Sequence, residues 1–285
     1  MDDAFTPLKV MVLAGGPDRE RPVSLQSGAT VAAALREAGH IVLQCDPSPV
    51  DTSYLDAFQA WGGDVVFPAL HGPWGEGGPL QRLMDERGVA YVGCGADAAE
   101  RCMDKAATKA VLVEQGLPTA DYEMVRSGRP QSIRVPYVVK APREGSSVEL
   151  RICHTEADAE AAWSDLGSRH EALLVERFIK GRELTVGILG ETALPAIQIV
   201  PAVAYYDYEA KYTRDDTKYL VGADQIDMPG AVLDRAADLA VQTYKALGCR
   251  HLSRVDFIID ERDDPWILEV NTMPDVTSHS LLLMA

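Results

Sequence analysis

Residues 254–271 alternate between apolar side chains and charged or amide side chains, at a spacing that could assemble a polar site. The segment predicts two strands joined by a short loop. In the antiparallel register that keeps one face wholly apolar, Asp256 faces Glu269 and Arg254 faces Asn271. A shift of one residue would bury the charges, so the apolar face selects this register. Further along the hairpin the same register predicts three more pairs, Phe257 with Leu268, Ile258 with Ile267 and Ile259 with Trp266.

Two carboxylates that face each other across a hairpin repel one another, because opposed side chains lie only about 4.5–5.5 Å apart. A divalent cation would remove that repulsion. Oxygen ligands without thiolate or imidazole favour Mg²⁺ or Mn²⁺, and Mg²⁺ held by few carboxylates completes its shell with substrate phosphates. Asp256, Glu269 and Asn271 are therefore candidate metal ligands. The alternative is an ordinary solvent-exposed face of a hairpin.

A second candidate site follows a predicted strand that ends near Lys140. The loop at residues 142–147 contains a glycine and two serines, and such a loop can offer backbone N–H groups and hydroxyls to phosphate oxygens. Lys140 would act as a point charge, and the isolated lysines Lys105 and Lys211 could add to it. The glycine-rich P-loop pattern is absent. Loops of this composition are common, so a purely structural loop is the alternative.

Two further positions lie where a predicted strand meets a glycine-rich turn. Glu20 follows Gly15 and Gly16 at a strand-to-helix turn, the place where ligands bind in open α/β sheets. His71 ends another apolar strand and precedes a glycine-rich stretch. The alternatives are a charge at the start of a helix and a structural histidine. The dinucleotide pattern G-x-G-x-x-G is absent, which disfavours a Rossmann dehydrogenase.

The elements that must position these residues alternate between strand and helix in the first third of the chain. That order predicts an α/β fold with a parallel sheet, and a strand-rich section with its own helices follows. Buried strands are predicted at residues 9–14, 41–43, 64–70, 136–141, 173–178 and 183–189. Helices are predicted from residue 27 to Gly39, and at residues 80–87, 98–115, 157–166 and 229–247.

Composition and charge limit the partners. The chain has 27 Lys and Arg against 43 Asp and Glu, a net charge of −16. Such a surface repels polyphosphates at long range, which argues against nucleic acid and anionic membranes but allows a small anion in a local basic pocket. The five scattered cysteines predict reduced thiols. Because we find no signal-peptide pattern and no apolar run of about 18 residues, we expect a cytoplasmic protein with no membrane partner.

Eight segments can be read as an ordered set of motifs: AGG to SG (14–28), ALHGPWGEGGPLQ (69–81), MDK (103–105), VKAPREGSSVE (139–149), ELTVGILGE (183–191), YDYEAKY (206–212), GCRHLSRVDFIID (248–260) and LEVNTMPDVTSHSL (268–281). In this order, the motifs resemble the D-alanine–D-alanine ligases of the ATP-grasp superfamily. The resemblance implies an ATP-grasp fold with an N-terminal Rossmann-like parallel-sheet domain. It divides the chain into an N-terminal substrate-binding domain (1–97), a central ATP-grasp subdomain (98–180) and a C-terminal subdomain with the metal site (181–285).

The resemblance implies that the protein joins two D-alanines at the expense of ATP, through an acylphosphate, for peptidoglycan precursors. It implies two Mg²⁺ or Mn²⁺ ions on Asp256, Glu269 and Asn271. The residues implied for ATP are Lys105 and Lys140 at the phosphates, Glu176 near the adenine, Glu183 at the ribose and Lys211 at the γ-phosphate.

For the amino acid substrates, the resemblance implies contacts from both ends of the chain. Glu20 takes the ammonium of the first D-alanine and His71 lies beside its carboxylate. Arg254 stabilises the acylphosphate and the oxyanion. Glu20, Ser146 and Tyr212 form a hydrogen-bonded set over the site, and Tyr212, rather than phenylalanine, favours an amine nucleophile. The residues implied for the carboxylate of the second substrate are Ser280 and the backbone of Leu281.

The chain departs from the family pattern at two positions. Asp275 stands where relatives have a glycine. An aspartate restricts φ at this position and brings a carboxylate near developing negative charge. Glu149 replaces another glycine. Relatives also continue beyond the position of Ala285 through a further helix. The resemblance implies a homodimer. The alternatives are a ligase that uses another D-amino or D-hydroxy acid as acceptor, and an ATP-binding paralogue with weak catalysis.

Overall fold

The computed structural model describes residues 6–126, 129–130, 132–145, 149–201, 216–277 and 280–285. The chain divides into two compact units. The first comprises Met1–Glu100, Cys249–Ser253 and Thr272–Met284, and the second Arg101–Gly248, Arg254–Asn271 and Ala285. The division of the second unit near residue 180 stays a prediction.

A parallel sheet lies at the centre of the first unit, as the alternation of strands and helices predicted. The strands β1 (Lys9–Leu13), β2 (Ile41–Cys45) and β3 (Val65–Pro68) form a three-stranded sheet in the order β2-β1-β3. Alternate residues of β1 enter two different apolar clusters, which shows that both faces of the sheet are covered. The other elements are α1 (Arg21–Glu37), α2 (Ser53–Trp61), α3 (Gly72–Gly75), α4 (Pro79–Glu86) and, near the end of the chain, α9 (Leu281–Met284).

Two predictions for this unit are wrong. Helix α1 begins at Arg21 instead of residue 27, because Pro22 occupies its first turn, where a missing N–H costs nothing. Strand β2 was predicted to be buried, yet Ile41 is 51% exposed. The reason is that β2 lies at the edge of a narrow sheet, so its apolar side chains are only partly covered.

The single helix predicted at residues 98–115 is two helices in the structure. These are α5 (Ala96–Met103) and α6 (Lys105–Glu114). Asp104 separates them, and its carboxylate accepts hydrogen bonds from the N–H groups of Ala106 and Ala107. This is a helix N-cap, which satisfies two backbone donors that an uninterrupted helix would have used internally.

Among the described residues, the second unit contains two sheets, one of four strands and one of six. The four-stranded sheet has the order β4-β7-β5-β6, and the helix α7 (Glu156–Leu166) packs in the same apolar cluster. Its strands are β4 (Tyr122–Val125), β5 (Tyr137–Lys140), β6 (Leu150–Cys153) and β7 (Leu173–Arg177). The six-stranded sheet has the order β11-β10-β8-β12-β13, with β9 paired to β8. Its elements are β8 (Gly181–Leu189), β9 (Thr192–Ala193), β10 (Ile197–Val200), β11 (Lys218–Val221), β12 (Leu252–Asp260) and β13 (Pro265–Asn271), with α8 (Gly230–Ala246).

The β12–β13 hairpin confirms the predicted register at its charged end and corrects it at the other. Asp256 pairs with Glu269 and Arg254 with Asn271. Beyond Asp256 the register shifts by one residue, which leaves Leu268 as the extra residue of a β-bulge. The three predicted pairs are therefore wrong. The observed partners are Phe257 with Ile267, Ile258 with Trp266 and Ile259 with Pro265.

Two further observations concern the chain as a whole. Nowhere in the described ranges is a helix both long enough and apolar enough to span a bilayer. All five cysteines are free thiols.

Candidate active site

A cavity of about 610 Å³ in the second unit is lined by residues of both its sheets. Volumes of roughly 300–1,000 Å³ are usual for small-molecule sites. Most of the polar residues predicted for nucleotide and metal line it together: Lys105, Lys140, Glu176, Glu183, Arg254, Asp256 and Glu269. Asn271 does not line the cavity, although it pairs with Arg254 across the hairpin.

The two opposed carboxylates each have a cationic partner. The Arg254 guanidinium donates from Nε and Nη2 to the two oxygens of Asp256, both at 2.9 Å. Thr185 Oγ1 donates to Asp256 Oδ1 at 2.5 Å. Lys105 Nζ lies 3.3 Å from Glu269 Oε2. The repulsion between the carboxylates is thus offset by alternating charge, in a setting where the side chain of Arg254 is only 8% exposed.

These carboxylates and the neighbouring amide form an oxygen-only donor set. In the described ranges, no group of three His, Cys, Asp or Glu side chains is placed to hold a metal ion. Asp256, Glu269 and Asn271 are too few for a cage made by protein alone. They fit a Mg²⁺ site that is completed by phosphate and water, because Mg²⁺ keeps several non-protein ligands.

Lys105 also fixes the loop after β5. Its backbone N–H donates to the carbonyl of Pro142 at 2.9 Å, and its ammonium donates to the carbonyl of Glu144 at 2.8 Å. The neighbouring N-cap residue Asp104 accepts from Arg143 at 3.0 Å. The start of α6 therefore holds the first residues of the predicted phosphate loop beside the cavity.

A buried Lys–Glu–Lys cluster lies at the cavity wall, and the sequence revealed only part of it. Glu176 Oε2 lies 2.6 Å from Lys140 Nζ, and Glu176 Oε1 lies 3.0 Å from Lys109 Nζ. Burial alone would raise the pKa of Glu176, but the two ammonium groups outweigh it and hold the pKa below its usual value. Burial likewise lowers the pKa of Lys109, against the attraction of Glu176. No sequence pattern indicated a role for Lys109, because a lysine in a helix is usually solvent-exposed.

In the first unit, predicted substrate residues gather at the carboxyl ends of the parallel strands. Glu20 immediately precedes α1, and one turn later the buried Ser24 hydroxyl accepts from the N–H of Gly15 at 2.8 Å. The same hydroxyl donates to the carbonyl of Ala69 at 2.6 Å. Since Ala69 lies two residues before His71, this serine brings the turn near Glu20 to the end of β3.

A second buried serine links His71 to the chain near residue 276. Ser27 Oγ lies 3.4 Å from His71 Nε2 and accepts from the N–H of Val276 at 3.1 Å. His71 is itself buried, directly before α3. Sequence reasoning missed Ser27, because a small polar residue in an alanine-rich helix is unremarkable as a pattern.

The segment around Asp275 is held by its own hydroxyl groups. Ser280 Oγ donates to the backbone carbonyl of Asp275 at 2.6 Å, and Thr277 Oγ1 donates to the Asp275 carboxylate at 3.0 Å. Ser280 is buried, and Leu281 begins α9. The backbone of Asp275 does not adopt the positive φ that would demand glycine. The side chain is thus accommodated without the backbone strain that the sequence suggested.

The other departure, Glu149, is also accommodated. It is buried, pairs with Arg169 at 2.6 Å and lies 3.3 Å from His170 Nε2. Ser146, Lys211 and Tyr212 lie outside the described residues.

Comparison with known proteins agrees with this architecture. A family profile described as "D-ala D-ala ligase C-terminus" matches residues 111–285. The chain is 42% identical to a D-alanine–D-alanine ligase of Bordetella avium, over 97% of this chain and 88% of the relative. It is also 42% identical to a D-alanine–D-alanine ligase of Gluconobacter oxydans, over 96% of this chain and 92% of the relative.

A solved structure of D-alanine–D-alanine ligase from Bacillus anthracis, complexed with ATP, superposes with a TM-score of 0.81 at 27% identity. The match covers 98% of this chain and 90% of that one. The chain therefore has the ATP-grasp fold, in which residues of two sheets, lysines and carboxylates among them, line one cavity. More narrowly, the chain belongs to the D-alanine–D-alanine ligase family.

Proposed function

We propose that this protein ligates two D-alanines to D-alanyl-D-alanine at the expense of ATP, for peptidoglycan precursor synthesis. One observation carries the proposal. The opposed pair Asp256 and Glu269 lies with Arg254 and Lys105 in the same cavity as Lys140, so the proposed metal ligands and the cations proposed for phosphate line one cavity. The family to which the chain belongs supplies the substrate.

ATP would occupy the cavity of the second unit. Lys105 and Lys140 are cations with little exposure, so they attract phosphate oxygens with less screening than surface lysines. Lys211 would add a third positive charge at the γ-phosphate. Glu183 at the cavity wall is suited to accept from ribose hydroxyls, and Glu176 lies near the proposed adenine position.

Asp256, Glu269 and Asn271 would hold the two Mg²⁺ or Mn²⁺ ions. When bound, such ions neutralise the triphosphate and favour attack at the γ-phosphorus. Arg254 and Lys105 already balance the carboxylates, which limits the cost of keeping two negative groups face to face.

The reaction has two displacements. The carboxylate of the first D-alanine attacks the γ-phosphorus and the bond from the γ-phosphorus to the β-phosphate oxygen breaks. ADP is released, and the D-alanine is converted into an acylphosphate. The amine of the second D-alanine, once deprotonated, attacks the acyl carbon and phosphate leaves. Arg254 would stabilise the negative oxygen that forms at each stage, since a preorganised donor costs no rearrangement during reaction.

The first unit would hold the amino acids. Glu20 would take the ammonium of the first D-alanine, with His71 beside its carboxylate. Ser280 and the backbone of Leu281 would receive the carboxylate of the second. Ser146 and Tyr212 would join Glu20 in a hydrogen-bonded set, with Tyr212 favouring an amine acceptor over a hydroxyl. On the same family grounds we propose a cytoplasmic homodimer.

The test is turnover by purified protein with ATP, Mg²⁺ and D-alanine, in which dipeptide is followed by mass spectrometry. D-serine, D-lactate and L-alanine serve as alternative acceptors. We expect D-alanyl-D-alanine to be the main product. A folded protein that binds ATP but makes no dipeptide would instead support the weakly catalytic paralogue, and a dominant mixed product would support another acceptor.

A further inference from the structure

Among the described residues of the second unit, Lys109 is the charged residue with the least solvent exposure, and no step of the proposed reaction uses it. It lies on α6 with no solvent exposure. Its ammonium has three oxygen neighbours, two that accept hydrogen bonds and one that forms an ion pair with it. Nζ lies 2.6 Å from Thr119 Oγ1, 3.5 Å from the carbonyl of Ala120 and 3.0 Å from Glu176 Oε1. A buried ammonium with two hydrogen bonds and a buried ion pair is held in place.

The contacts of Lys109 lead to the nucleotide cavity from one side. Glu176 pairs through Oε1 with Lys109 and through Oε2 with Lys140, so the two lysines share one carboxylate. Lys140 and Glu176 both line the cavity. The orientation of the Glu176 carboxylate, and with it the place of the Lys140 ammonium, therefore depends on Lys109.

Lys109 is also linked, through Thr119, to β13, the strand that carries the proposed metal ligand Glu269. Thr119 accepts from Lys109 and donates to the carbonyl of Ile267 at 3.0 Å. The N–H of Ile267 in turn donates to the carbonyl of Pro118 at 2.9 Å. Ile267 directly precedes Leu268, the bulged residue, and Glu269 follows. The same lysine is thus joined to the lysine of one sheet and to the strand that carries a metal ligand in the other.

We propose that Lys109 is a positioning residue for ATP, which acts through Glu176 to hold Lys140 and through Thr119 to hold β13 at the bulge. This inference rests on the proposed use of ATP. It predicts that Lys109 affects nucleotide binding without touching the nucleotide, and that its effect is smaller when the Glu176 carboxylate is absent.

The test is a double-mutant cycle read out by calorimetric binding of Mg-ATP and by steady-state kinetics. Lys109→Met keeps a long unbranched side chain in the helix and removes the ammonium. We expect the Kd and KM for ATP to rise about tenfold, because misplacing a binding group is costly even when the change is remote. The KM for D-alanine and the kcat at saturating ATP should stay within about twofold of the starting protein.

In the Glu176→Gln background, the further change Lys109→Met should raise the Kd for ATP only by the smaller factor expected for Thr119→Val, because the part of the effect that acts through Glu176 is already lost and such effects are not additive. Lys245→Met is the matched control, because Lys245 is an exposed lysine paired with Glu191. Thr119→Val removes one link with little change of shape. It should raise the Kd for ATP in the same direction by a smaller factor, even if Lys109→Met fails to fold.

Three outcomes would overturn the inference: an unchanged Kd for ATP in both Lys109→Met and Thr119→Val, an equal effect of Lys109→Met with and without Glu176, or a uniform loss of kcat with no change in either KM. Failure of the unmodified protein to bind ATP would instead refute the proposed function. The two failures are therefore distinguishable.

Discussion

Replacing Arg254 by lysine tests whether the guanidinium serves the reaction rather than the hairpin. Lysine keeps the positive charge but cannot make the two parallel bonds, each of 2.9 Å, that Arg254 makes to Asp256. Asp256 retains its bond from Thr185, so we expect the fold to persist. The loss should fall on the stage at which negative charge develops on oxygen.

Loss of one such donor lowers kcat by about 10²–10³, which corresponds to about 3–4 kcal/mol of transition-state stabilisation. We therefore expect kcat for dipeptide formation to fall by that factor in Arg254→Lys, with the KM values for ATP and D-alanine within about threefold of the starting protein. Coupled detection of ADP gives kcat, and thermal unfolding verifies that the protein is folded. Arg235→Lys is the control, because Arg235 makes an exposed ion pair with Asp264 on the same hairpin.

The reasoning fails if Arg254→Lys keeps kcat within about threefold, or if the loss appears in the KM for ATP alone. The first result would make Arg254 a structural partner of Asp256. The second would move its role to binding of the ground state.

Three further predictions follow from other parts of the molecule. Ser27→Ala removes the hydroxyl between His71 and Val276, so the KM for D-alanine should rise several-fold in steady-state kinetics while that for ATP is unchanged; the opposite pattern would contradict the assignment of these residues. Asp275→Gly relieves no positive φ, so kcat should change by less than about threefold, and a tenfold rise would show that the carboxylate obstructs the reaction. The two lysines hold the pKa of Glu176 below its usual value of 4.5, so its ionised form stabilises the fold fully above about pH 4.5 and less as the pH falls through the depressed pKa. Urea unfolding of the unmodified protein should show this acid loss, and Glu176→Gln should reduce it; equal slopes would contradict the assignment.

The charged end of the β12–β13 hairpin could be predicted because a wholly apolar face constrains the register. The bulge at Leu268 could not, since Ile267 and Leu268 are both apolar and either satisfies the pattern. What selects Ile267 for the core is tertiary: its backbone N–H and carbonyl are bonded to Pro118 and Thr119, residues about 150 positions earlier. Bulges close to functional side chains recur in sheets for this reason, since they redirect a side chain at the cost of one pair.

The roles of buried polar residues were the hardest to predict. Glu176 could be singled out by resemblance, but its partner Lys109 lies in a helix whose pattern suggests an exposed lysine. Ser27 is similar, because only the fold brings it against His71. By contrast, the break between α5 and α6 could have been predicted, because aspartate is a preferred N-cap residue and Asp104 occupies the N-cap of α6. The predicted helix at residues 98–115 did not take this residue into account.

The most direct test of the central claim follows oxygen from D-alanine into phosphate. With D-alanine labelled by ¹⁸O in its carboxylate, attack on the γ-phosphorus and later loss of phosphate transfer one labelled oxygen to phosphate for each dipeptide made. The account predicts ADP, phosphate and D-alanyl-D-alanine in equal amounts, with ¹⁸O in the phosphate. Unlabelled phosphate, or ATP consumption without dipeptide, would contradict it.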